Sequence, residues 1–569
     1  MLKIKSILVS LLAVAALASC SKENDESPEV DGGKDYDVAY VSISLSGPKK
    51  TGTRSSAEKP SLEEESKIHE LYVITFNSGS VVVKDADPTV KYATVLGSGT
   101  FGTSTGGITT PNTPIKVDPT THYLLVIANP GITLKSRLDN IAAGATFDDI
   151  NNMVTVATQT GKSDNSYLVE EIAHSGGLTM INAGFYDATG SKWKDDCLLD
   201  VSDKIVLAKD HKSDTEALNA AKSNPASLKI ERLAAKLEVL VKSVLEVGPF
   251  EDVTKASLGQ FEFGNWTIDY YNSLFFPFAK KTTTKSSHAT GFYESNFYTV
   301  DPNFTKVSGS EYLAGVVKNV LEPTTREPKV DWADKSLTAA DENNDFRYCI
   351  ENTMEAGYQK FGAATRLVLK GKYAPWKAGD FTLGDDWFRL PNGTNSKNFK
   401  TFADLKTAYD AAKLKETNSS PMTAEEKLLV AACELFYTQI KSELKTNDPG
   451  DFTSLSQAIL DANNIANGGE LTKEEGCIYW YQKSLNYYYY EVRHDNEATD
   501  HMEHGKYGVV RNNYYTLTLT KVNGNGTPWY PGDGPEDPDA EEDIDKLGAY
   551  LHFEIEVAPW VYWATNFEI

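Results

Sequence analysis

The residues best suited to metal chemistry lie close together near residue 500. His501 and His504 are three positions apart and, on a helix, would share a face with Asp500, so the three could act as metal ligands. The surrounding segment, residues 494–504, is polar and offers few apolar residues to hold ligands in place. The sequence therefore predicts no metal site, and we expect the chain to need no cofactor.

Enzymatic chemistry would require other groupings of residues. We find no Gly-rich phosphate loop, no nucleophile elbow and no carboxylate pair in a supporting apolar frame. The acidic segment Asp533–Asp545 lacks the ligand spacing of a dedicated calcium loop. No catalytic residue is predicted, and we expect that the protein is not an enzyme.

Cys20 carries the clearest chemical signal in the chain. Lys3 and Lys5 precede an apolar stretch that is too short to span a bilayer, and Leu17-Ala18-Ser19-Cys20 matches the site at which lipoprotein signal peptides are removed. We predict that residues 1–19 are a signal peptide and that Cys20 is acylated and anchors the precursor. The alternative is an ordinary signal peptide followed by a chance cysteine.

An alternating segment follows the predicted anchor. Between Tyr36 and Ser46, the apolar residues Val41, Ile43 and Leu45 alternate with serines, which is typical of a half-buried β-strand. This strand is joined to a lipid anchor on its upstream side. We predict that it is a removable strand, and that another molecule later takes its place.

The segment that follows this strand is basic and built of small residues. Lys49–Ser56 contains the residue types of an exposed loop that a protease can reach, and Arg54 is followed by Ser55. A cut between these two residues would separate the strand and its anchor from the rest of the chain. We therefore predict a proteolytic site within this loop.

The remaining cysteines give no sign of a metal or disulfide framework. They are far apart and lack the Cys-x-x-Cys spacing of zinc sites. Export would permit one or two disulfides, with three full pairings open, but we favour buried free thiols. These cysteines are Cys197, Cys349, Cys433 and Cys477.

Charge and composition narrow the class of protein. The chain has 569 residues and a formal net charge of −24, which argues against binding nucleic acid, or an anionic membrane, through the folded body. Aromatic residues make up 11% of the chain and include 29 Tyr, a content that favours pleated sheets.

Most of the body has the pattern of an all-β protein. Ile68–Asn77 and Tyr123–Gly131 contain buried strands, separated by loops rich in Gly, Ser and Thr. Leu228–Val241 could form a helix or a strand, and Asn224-Pro225 before it marks a candidate domain boundary. Residues 400–470 combine a capping box with apolar residues at helical spacing, so we predict a helical insertion.

The chain ends in an apolar strand. It begins with apolar residues that alternate with charged ones, is broken by Pro559 and ends in aromatic residues. An apolar, extended chain end can complete the sheet of another molecule. The apolar residues of this strand, which the resemblance described below makes the donor residues, are Phe553, Ile555, Val557, Trp560, Val561, Tyr562 and Trp563.

Taken in chain order, these features resemble the fimbrillin family, the shaft subunits of the type V pili of the Bacteroidia, and most closely the major subunit of the short fimbriae. The matching pieces run nearly end to end, although the segment 400–470 is not among them. They are the Leu17–Cys20 site, the loop that ends at Arg54, the strand Tyr123–Pro130, the junction Ile230–Val241, the segments Tyr348–Asn352 and Val509–Tyr514, the acidic loop and Val557–Trp560.

The resemblance implies a fold and a route of assembly. The fold would be mainly β, with two transthyretin-like β-sandwich domains in series, residues 55–225 and 226–569, and a helical insertion in the second. Residues 20–54 would be a propeptide that an arginine-specific protease removes by cutting after Arg54. A neighbour's C-terminal strand, within residues 553–569, would then fill the groove that the removed strand leaves.

The resemblance also implies the partners and the location. The partners would be identical subunits in a head-to-tail polymer, anchor and tip subunits of the same pilus, and a host or bacterial surface ligand, with no nucleic acid. The protein would form a cell-surface fimbria that supports adhesion and biofilm formation. Its precursor would be an outer-membrane lipoprotein that contacts the membrane only through its lipid.

Two other classes of function remain open from the residues alone. A surface lipoprotein that binds glycan through exposed aromatic residues, such as Tyr487–Tyr490, would share the signal peptide but would not need cleavage after Arg54. An anchor subunit would keep its lipidated strand, and a tip subunit would not need a free donor strand. Both chain ends are suited to exchange here, which favours a shaft subunit.

Overall fold

The structure, a computed structural model, shows a mainly β protein. It describes residues 38–46, 59–60, 64–83, 93–97, 101, 108–152, 154–156, 170–174, 177–187, 192–193, 196–248, 259–278, 280–282, 299–305, 316–317, 346–375, 381–391, 396–444, 478–495, 502–530, 534–535, 544 and 551–561. The α-helices in these parts are α1 (Ile132–Leu138), α2 (Phe147–Ile150), α3 (Asp214–Ser223), α4 (Phe402–Thr417) and α5 (Ala424–Leu444).

The strands are numbered in chain order. Those before residue 250 are β1 (Ala39–Val41), β2 (Ile43–Ser46), β3 (Lys59–Pro60), β4 (Glu70–Phe76), β5 (Ala93–Gly97), β6 (Ile108–Thr109), β7 (Ile115–Val117), β8 (Tyr123–Ala128), β9 (Val154–Thr155), β10 (Ala173–His174), β11 (Gly177–Leu178), β12 (Met180–Asn182), β13 (Tyr186–Asp187), β14 (Lys192–Trp193), β15 (Leu199–Asp200), β16 (Val206–Leu207), β17 (Ala226–Arg232) and β18 (Ala234–Val247). Those after it are β19 (Gln260–Asp269), β20 (Tyr271–Asn272), β21 (Leu274–Phe275), β22 (Lys280–Lys281), β23 (Thr299–Val300), β24 (Val316–Val317), β25 (Phe346–Ile350), β26 (Arg366–Ala374), β27 (Trp387–Leu390), β28 (Lys397–Phe399), β29 (Tyr479–Tyr481), β30 (Leu485–Glu491), β31 (Asn513–Val522), β32 (Trp529–Tyr530), β33 (Gly534–Pro535) and β34 (Leu551–Val561).

A mixed sheet organises the first part of the chain. Its strands lie in the spatial order β5–β4–β8–β12–β17–β2–β6, with β15 paired to β8 outside this path. Strand β4 is buried on both faces, because Tyr72 and Ile74 enter one apolar core while Leu71 and Val73 enter another. The predicted burial of this strand is confirmed. A separate three-stranded sheet, β16–β1–β7, also lines the second core.

Two sheets organise the later part of the chain. The first has the order β25–β18–β31–β34–β3, and the second has the order β19–β26–β30. Leu237 and Leu517 of the first lie in one apolar core with Trp266, Ile268 and Leu367 of the second. The same core includes side chains of β4 and β8, so buried apolar contacts join the two parts of the chain.

The chain passes from the first set of sheets to the second at Leu233. Residues 226–232, which the sequence analysis assigned to the second domain, form β17 and pair with β12 and β2 of the first sheet. Leu228 and Ile230 alternate into the second core, which explains why this segment stays with the first sheet. Strand β18 then begins at Ala234 and pairs with β25 and β31.

The predicted helical insertion contains α4 and α5. The capping box at Thr423 and Glu426 is present, since the Thr423 N–H donates to Glu426 Oε2 at 3.0 Å and the Glu426 N–H donates to Thr423 Oγ1 at 3.2 Å. The helices share a small core with the β28–β27–β29 sheet, built around Leu405, Leu429 and Trp480. Residues 445–470 of the predicted insertion lie outside the described residues. In the part of the chain that is described, no helix is long and apolar enough to cross a membrane.

Candidate functional site

The predicted removable strand is inserted between paired strands on both sides. It forms β1 and β2, with Ser42 between them. Strand β1 pairs antiparallel with β7 on one side and β16 on the other. Strand β2 pairs parallel with β17, where Ile43 lies opposite Ala226, and antiparallel with β6. One continuous segment therefore completes two different sheets.

The apolar side chains of this segment belong to the second core. Ala39, Val41, Ile43 and Leu45 are each at most 1% exposed and contact a cluster that includes side chains of β4, β7, β8 and β17. Burial of a Val, Leu or Ile side chain contributes about 1.5–3 kcal/mol. The predicted alternation is thus matched by an alternation in burial, and the inserted segment is a substantial part of this core.

The opposite face of β1 is buried as well. Val38 and Tyr40 pack against Ala217 and Ala221 of helix α3. The helix begins at its N-cap Ser213, whose hydroxyl accepts a hydrogen bond from the Glu216 N–H at 3.3 Å. The first half of the segment is therefore covered on both faces.

Backbone hydrogen bonds continue through the change of sheet. The carbonyl of Ser42 accepts from the Ala226 N–H at 2.7 Å, and the carbonyl of Val38 accepts from the Ala208 N–H at 3.1 Å. Ser42 itself is 2% exposed. The serine that links β1 and β2 is thus a buried, hydrogen-bonded crossing point.

Removal of this segment would leave its neighbours without partners. In the described ladders, β1 is the middle strand of the three-stranded sheet, so β7 and β16 pair only with it. In the mixed sheet, β6 pairs only with β2. Loss of the segment would expose unpaired backbone groups on both sides of an apolar trench, which is the kind of edge that binds an added strand.

The residues predicted to link this strand to the outside are not described. Cys20, Arg54 and Ser55 lie outside the described residues. The inserted strand is described as far as Ser46, and the chain is next described at Lys59. The predicted cut therefore falls in the link between β2 and β3.

The C-terminal strand is paired with its own sheet in this structure. Strand β34 runs antiparallel to β31, with Ile555 opposite Leu517 and Val557 opposite Tyr515. Phe553 and Ile555 are partly buried against the main core. The sequence predicts that these residues lie at a free chain end. Their alternation matches the apolar face of β31, which accounts for the pairing.

The other predicted donor residues are only partly described. The backbone of Trp560 and Val561 continues β34, while Tyr562 and Trp563 lie outside the described residues. The structure brings the removable strand and the C-terminal strand to different sheets.

A buried charged cluster that was not predicted is centred on Glu65, which follows β3 in the chain. Glu65 forms an ion pair with Lys236 at 2.7 Å and accepts a hydrogen bond from the Tyr348 hydroxyl at 2.7 Å. Arg232 donates to the Glu65 carbonyl at 3.0 Å and to the Ser66 hydroxyl at 2.9 Å. We call these five residues the junction cluster. It joins the segment after β3 to the point where the two sets of sheets meet.

The electrostatics of the junction cluster follow from its burial. Removal from water lowers the pKa of Lys236, and the Glu65 carboxylate partly offsets that shift. Burial and the charge of Glu65 raise the pKa of Tyr348. The Lys236 ammonium also lies 4.0 Å from the ring centroid of Phe346. Each charge therefore has a partner, as burial requires.

The histidine and acidic residues near residue 500 form no metal cluster among the described residues. No group of three or more His, Cys, Asp or Glu side chains could hold a metal there. His494 is buried, and its Nδ1 lies 2.8 Å from the Tyr515 hydroxyl. Asp500 and His501 lie outside the described residues.

The aromatic run that suggested glycan binding is not an exposed platform. Tyr487 and Tyr488 are 0% and 2% exposed. Tyr489 lies against the buried Arg366 guanidinium at 4.0 Å, and the ring centroids of Tyr490 and Phe553 are 4.5 Å apart. The run is part of β30, in which both faces are packed. The expectation of exposed tyrosines is therefore wrong for Tyr487 and Tyr488, while Tyr489 and Tyr490 are half-buried.

Three of the four body cysteines are described, and all are buried free thiols. They are Cys197, Cys349 and Cys433. Burial raises the pKa of the Cys349 thiol and raises that of Cys433 to about 12, so both are held in the unreactive thiol form. Cys477 lies outside the described residues.

Two family profiles match the chain, one near each end. The major fimbrial subunit protein (FimA) profile matches residues 39–223, which begin at β1. The profile of the major fimbrial subunit protein type IV, fimbrillin, C-terminal, matches residues 479–566, which include β31 and β34. No curated protein sequence matches the chain.

Solved structures show a remote likeness over most of the chain. A proposed cell adhesion protein from Bacteroides eggerthii DSM 20697 is 10% identical over 93% of this chain and 98% of its own, with a TM-score of 0.32. The tip fimbrial protein Mfa3 from Porphyromonas gingivalis is 10% identical over 91% and 100%, with a TM-score of 0.27. A fimbrial assembly protein from Parabacteroides distasonis ATCC 8503 is 12% identical over 60% and 87%, with a TM-score of 0.25. Likeness at these scores is too remote to support conclusions about function.

The class of protein follows from the two profile matches and the mainly β fold. Both matched families are major fimbrial subunits, which are structural proteins, and the matches include the inserted strand and the C-terminal strand. The chain is a fimbrial subunit. It belongs to the fimbrillin family of the Bacteroidia.

Proposed function

We propose that the chain is a pilus shaft subunit that is exported as a lipoprotein, activated by proteolysis and polymerised by donor-strand exchange. The precursor is anchored through Cys20, and an arginine-specific protease cuts between Arg54 and Ser55. One observation carries the proposal. Residues 39–46 occupy an interior position in two sheets, directly upstream of the predicted cut.

The cut changes an internal strand into an exchangeable one. While β1 and β2 remain tied to the chain, they fill their groove at high effective concentration, so the precursor stays monomeric. After the cut they can leave, and the vacant groove accepts a strand from another subunit by β-augmentation. Because the reaction breaks a peptide bond, the subunit does not return to its closed state.

The donor is the C-terminal strand of the next subunit. Its apolar residues lie within residues 553–569 and include Phe553, Ile555 and Val557. In the uncut chain the first part of this strand pairs with β31, so donation requires that it leave its own sheet. Donor and acceptor are different surfaces, so the contact repeats without closing and yields a filament.

The remaining features of the proposal concern the assembled pilus. We propose two β-sandwich domains in series, with head-to-tail contacts between identical subunits and with anchor and tip subunits at the ends. The mature protein is located in a fimbria at the cell surface, where it supports adhesion. Its precursor is a lipoprotein of the outer membrane.

N-terminal sequencing of the surface polymer tests the proposed processing. The expected first residue is Ser55. A polymer, or a monomeric surface protein, that begins at a lipidated Cys20 would contradict the shaft assignment and favour an anchor subunit.

Deletion of residues 553–569 tests the proposed donor. The expected product accepts a donor strand after cleavage but cannot donate one, so mixtures with the intact chain form shorter fibres. The deletion removes all of β34 except Leu551 and His552 from its sheet and so lowers stability, and circular dichroism must first show a folded chain. Fibres of unchanged length and yield would exclude this segment as the donor.

A further inference from the structure

The tip of the C-terminal strand is held by the segment that follows the predicted cut. The ladder between β31 and β34 ends where Asn513 lies opposite Pro559. Beyond that point, Trp560 and Val561 pair in parallel with the two residues of β3. In the described ladders, β3 is therefore the sole strand partner of the tip.

The segment after β3 is fixed to the same sheet. The short 310 helix Glu64–Ser66 carries two members of the junction cluster. Glu65 is bound to Lys236 of β18 and Tyr348 of β25, which are the strands farthest from β3 in that sheet. The described residues of this segment therefore contact β34 near one edge of the sheet and β18 and β25 at the other.

The uncut chain restrains β3 from both directions. Downstream, Glu65 and Ser66 are buried, at 4% and 8% exposure, and are held by the junction cluster. Upstream, residues 47–58 connect β3 to Ser46, which is seated in the mixed sheet. The bond after Arg54 lies in that upstream connection, so a cut removes one of the two restraints.

We propose that β3 and Glu64–Ser66 form a clasp that keeps the C-terminal tip on its own subunit, and that cleavage after Arg54 loosens this clasp while it frees the N-terminal strand. This inference rests on the proposed function for the roles of the cut and the tip. A two-residue strand next to a new chain end frays readily. A single cut thereby opens the acceptor groove and frees the tip of the donor strand, while residues 551–559 remain paired with β31 until exchange.

Hydrogen exchange of the full-length precursor tests the clasp without any cut. Glu65→Gln removes the charge that holds the clasp, and Lys59→Gly weakens the backbone of β3. Each variant is expected to speed exchange at the amides of Trp560 and Val561 by about tenfold or more, a change of about 1.4 kcal/mol in opening free energy. Exchange in β2 and β8 should not change. The matched control is Glu262→Gln, which breaks an exposed ion pair with Lys372.

The outcomes separate the clasp from the proposed function. Faster exchange of the tip in both variants and in the protease-cut chain, with the control unchanged, supports the clasp. Equal tip exchange in cut and uncut chains, together with normal polymerisation of the cut chain, overturns the clasp and leaves the proposed function standing. A cut chain that stays monomeric while its tip exchanges faster contradicts the proposed function instead. If Glu65→Gln does not fold, Lys59→Gly decides the result.

Discussion

At the scale of single residues, the inserted strand should behave as core. Ile43 is 0% exposed, while its neighbour Ser44 is partly exposed. We expect Ile43→Ala to lower the free energy of unfolding of the precursor by about 2–5 kcal/mol, because it removes buried methyl groups and leaves a cavity. Ser44→Ala is the control and should change it by less than about 0.5 kcal/mol. Urea denaturation measures both, and equal effects would show that the strand is not seated in the core.

A buried carboxyl group makes stability depend on pH. Burial raises the pKa of Asp301 to about 7, with a further contribution from the charge of Glu351, although the N–H groups of Thr353 and Asn303 each donate to it at 2.7 Å. The folded pKa lies above the unfolded value, so this stabilising contribution is complete below about pH 4 and is lost as pH rises through 7. The expected loss is on the order of 4 kcal/mol, from about three pKa units at 1.36 kcal/mol each.

The test of this titration is a difference between variants. The free energy of unfolding of the wild type minus that of Asp301→Asn should fall as pH rises from 4.5 to 7.5. The control is Asp410→Asn, at an exposed carboxylate that forms a surface ion pair with Lys406. A difference that stays flat for Asp301→Asn would contradict the raised pKa.

Single residues also show which features of the structure the sequence could predict and which it could not. The alternation of Val41, Ile43 and Leu45 predicted their shared burial, because period-two spacing follows from strand geometry alone. The burial of Glu65 could not be predicted, since it depends on Lys236, 171 positions away. The exposure predicted for Tyr487 was wrong for a related reason. A run of four tyrosines does not show that both faces of its strand are covered by other parts of the chain.

At the scale of elements, the helical pair should be energetically separate from the inserted strand. Leu405 of α4 is 0% exposed in the small core of the insertion, whereas Leu414 on the same helix is 62% exposed. We expect Leu405→Ala to speed hydrogen exchange in α4 and α5 without changing exchange in β1 and β2. Leu414→Ala is the matched control and should change neither. Faster exchange in β2 in the Leu405 variant would show that the insertion supports the acceptor groove.

Individual helices and strands were predicted from the sequence better than the pairing of one strand with another. The capping box at Thr423 and the strand β4 follow from local spacing, so the sequence was sufficient for both. The parallel pairing of β2 with β17 joins segments about 180 positions apart, and no local signal specifies it. The same holds for β17, whose place in the first sheet depends on partners rather than on Asn224-Pro225 before it. The position of β34 beside β31 was missed because an apolar chain end fits an internal sheet as well as a neighbour's.

At the scale of the whole molecule, assembly should depend on one peptide bond. Arg54→Lys keeps the positive charge of the loop but removes the residue that an arginine-specific protease requires. We expect this variant to remain monomeric under conditions in which most of the wild-type protein polymerises. Size-exclusion chromatography and electron microscopy measure the difference. Lys50→Arg keeps Arg54 and should polymerise normally. Fibres formed by Arg54→Lys would place the activating cut elsewhere.

The most direct measurement is a reconstruction of the assembled fibre at a resolution that identifies side chains. We expect the position of residues 39–46, between β7 and β16 and between β6 and β17, to be filled by C-terminal residues of the adjacent subunit. A fibre in which residues 39–46 remain in that position and each C-terminal strand stays paired with β31 of its own chain would contradict donor-strand exchange.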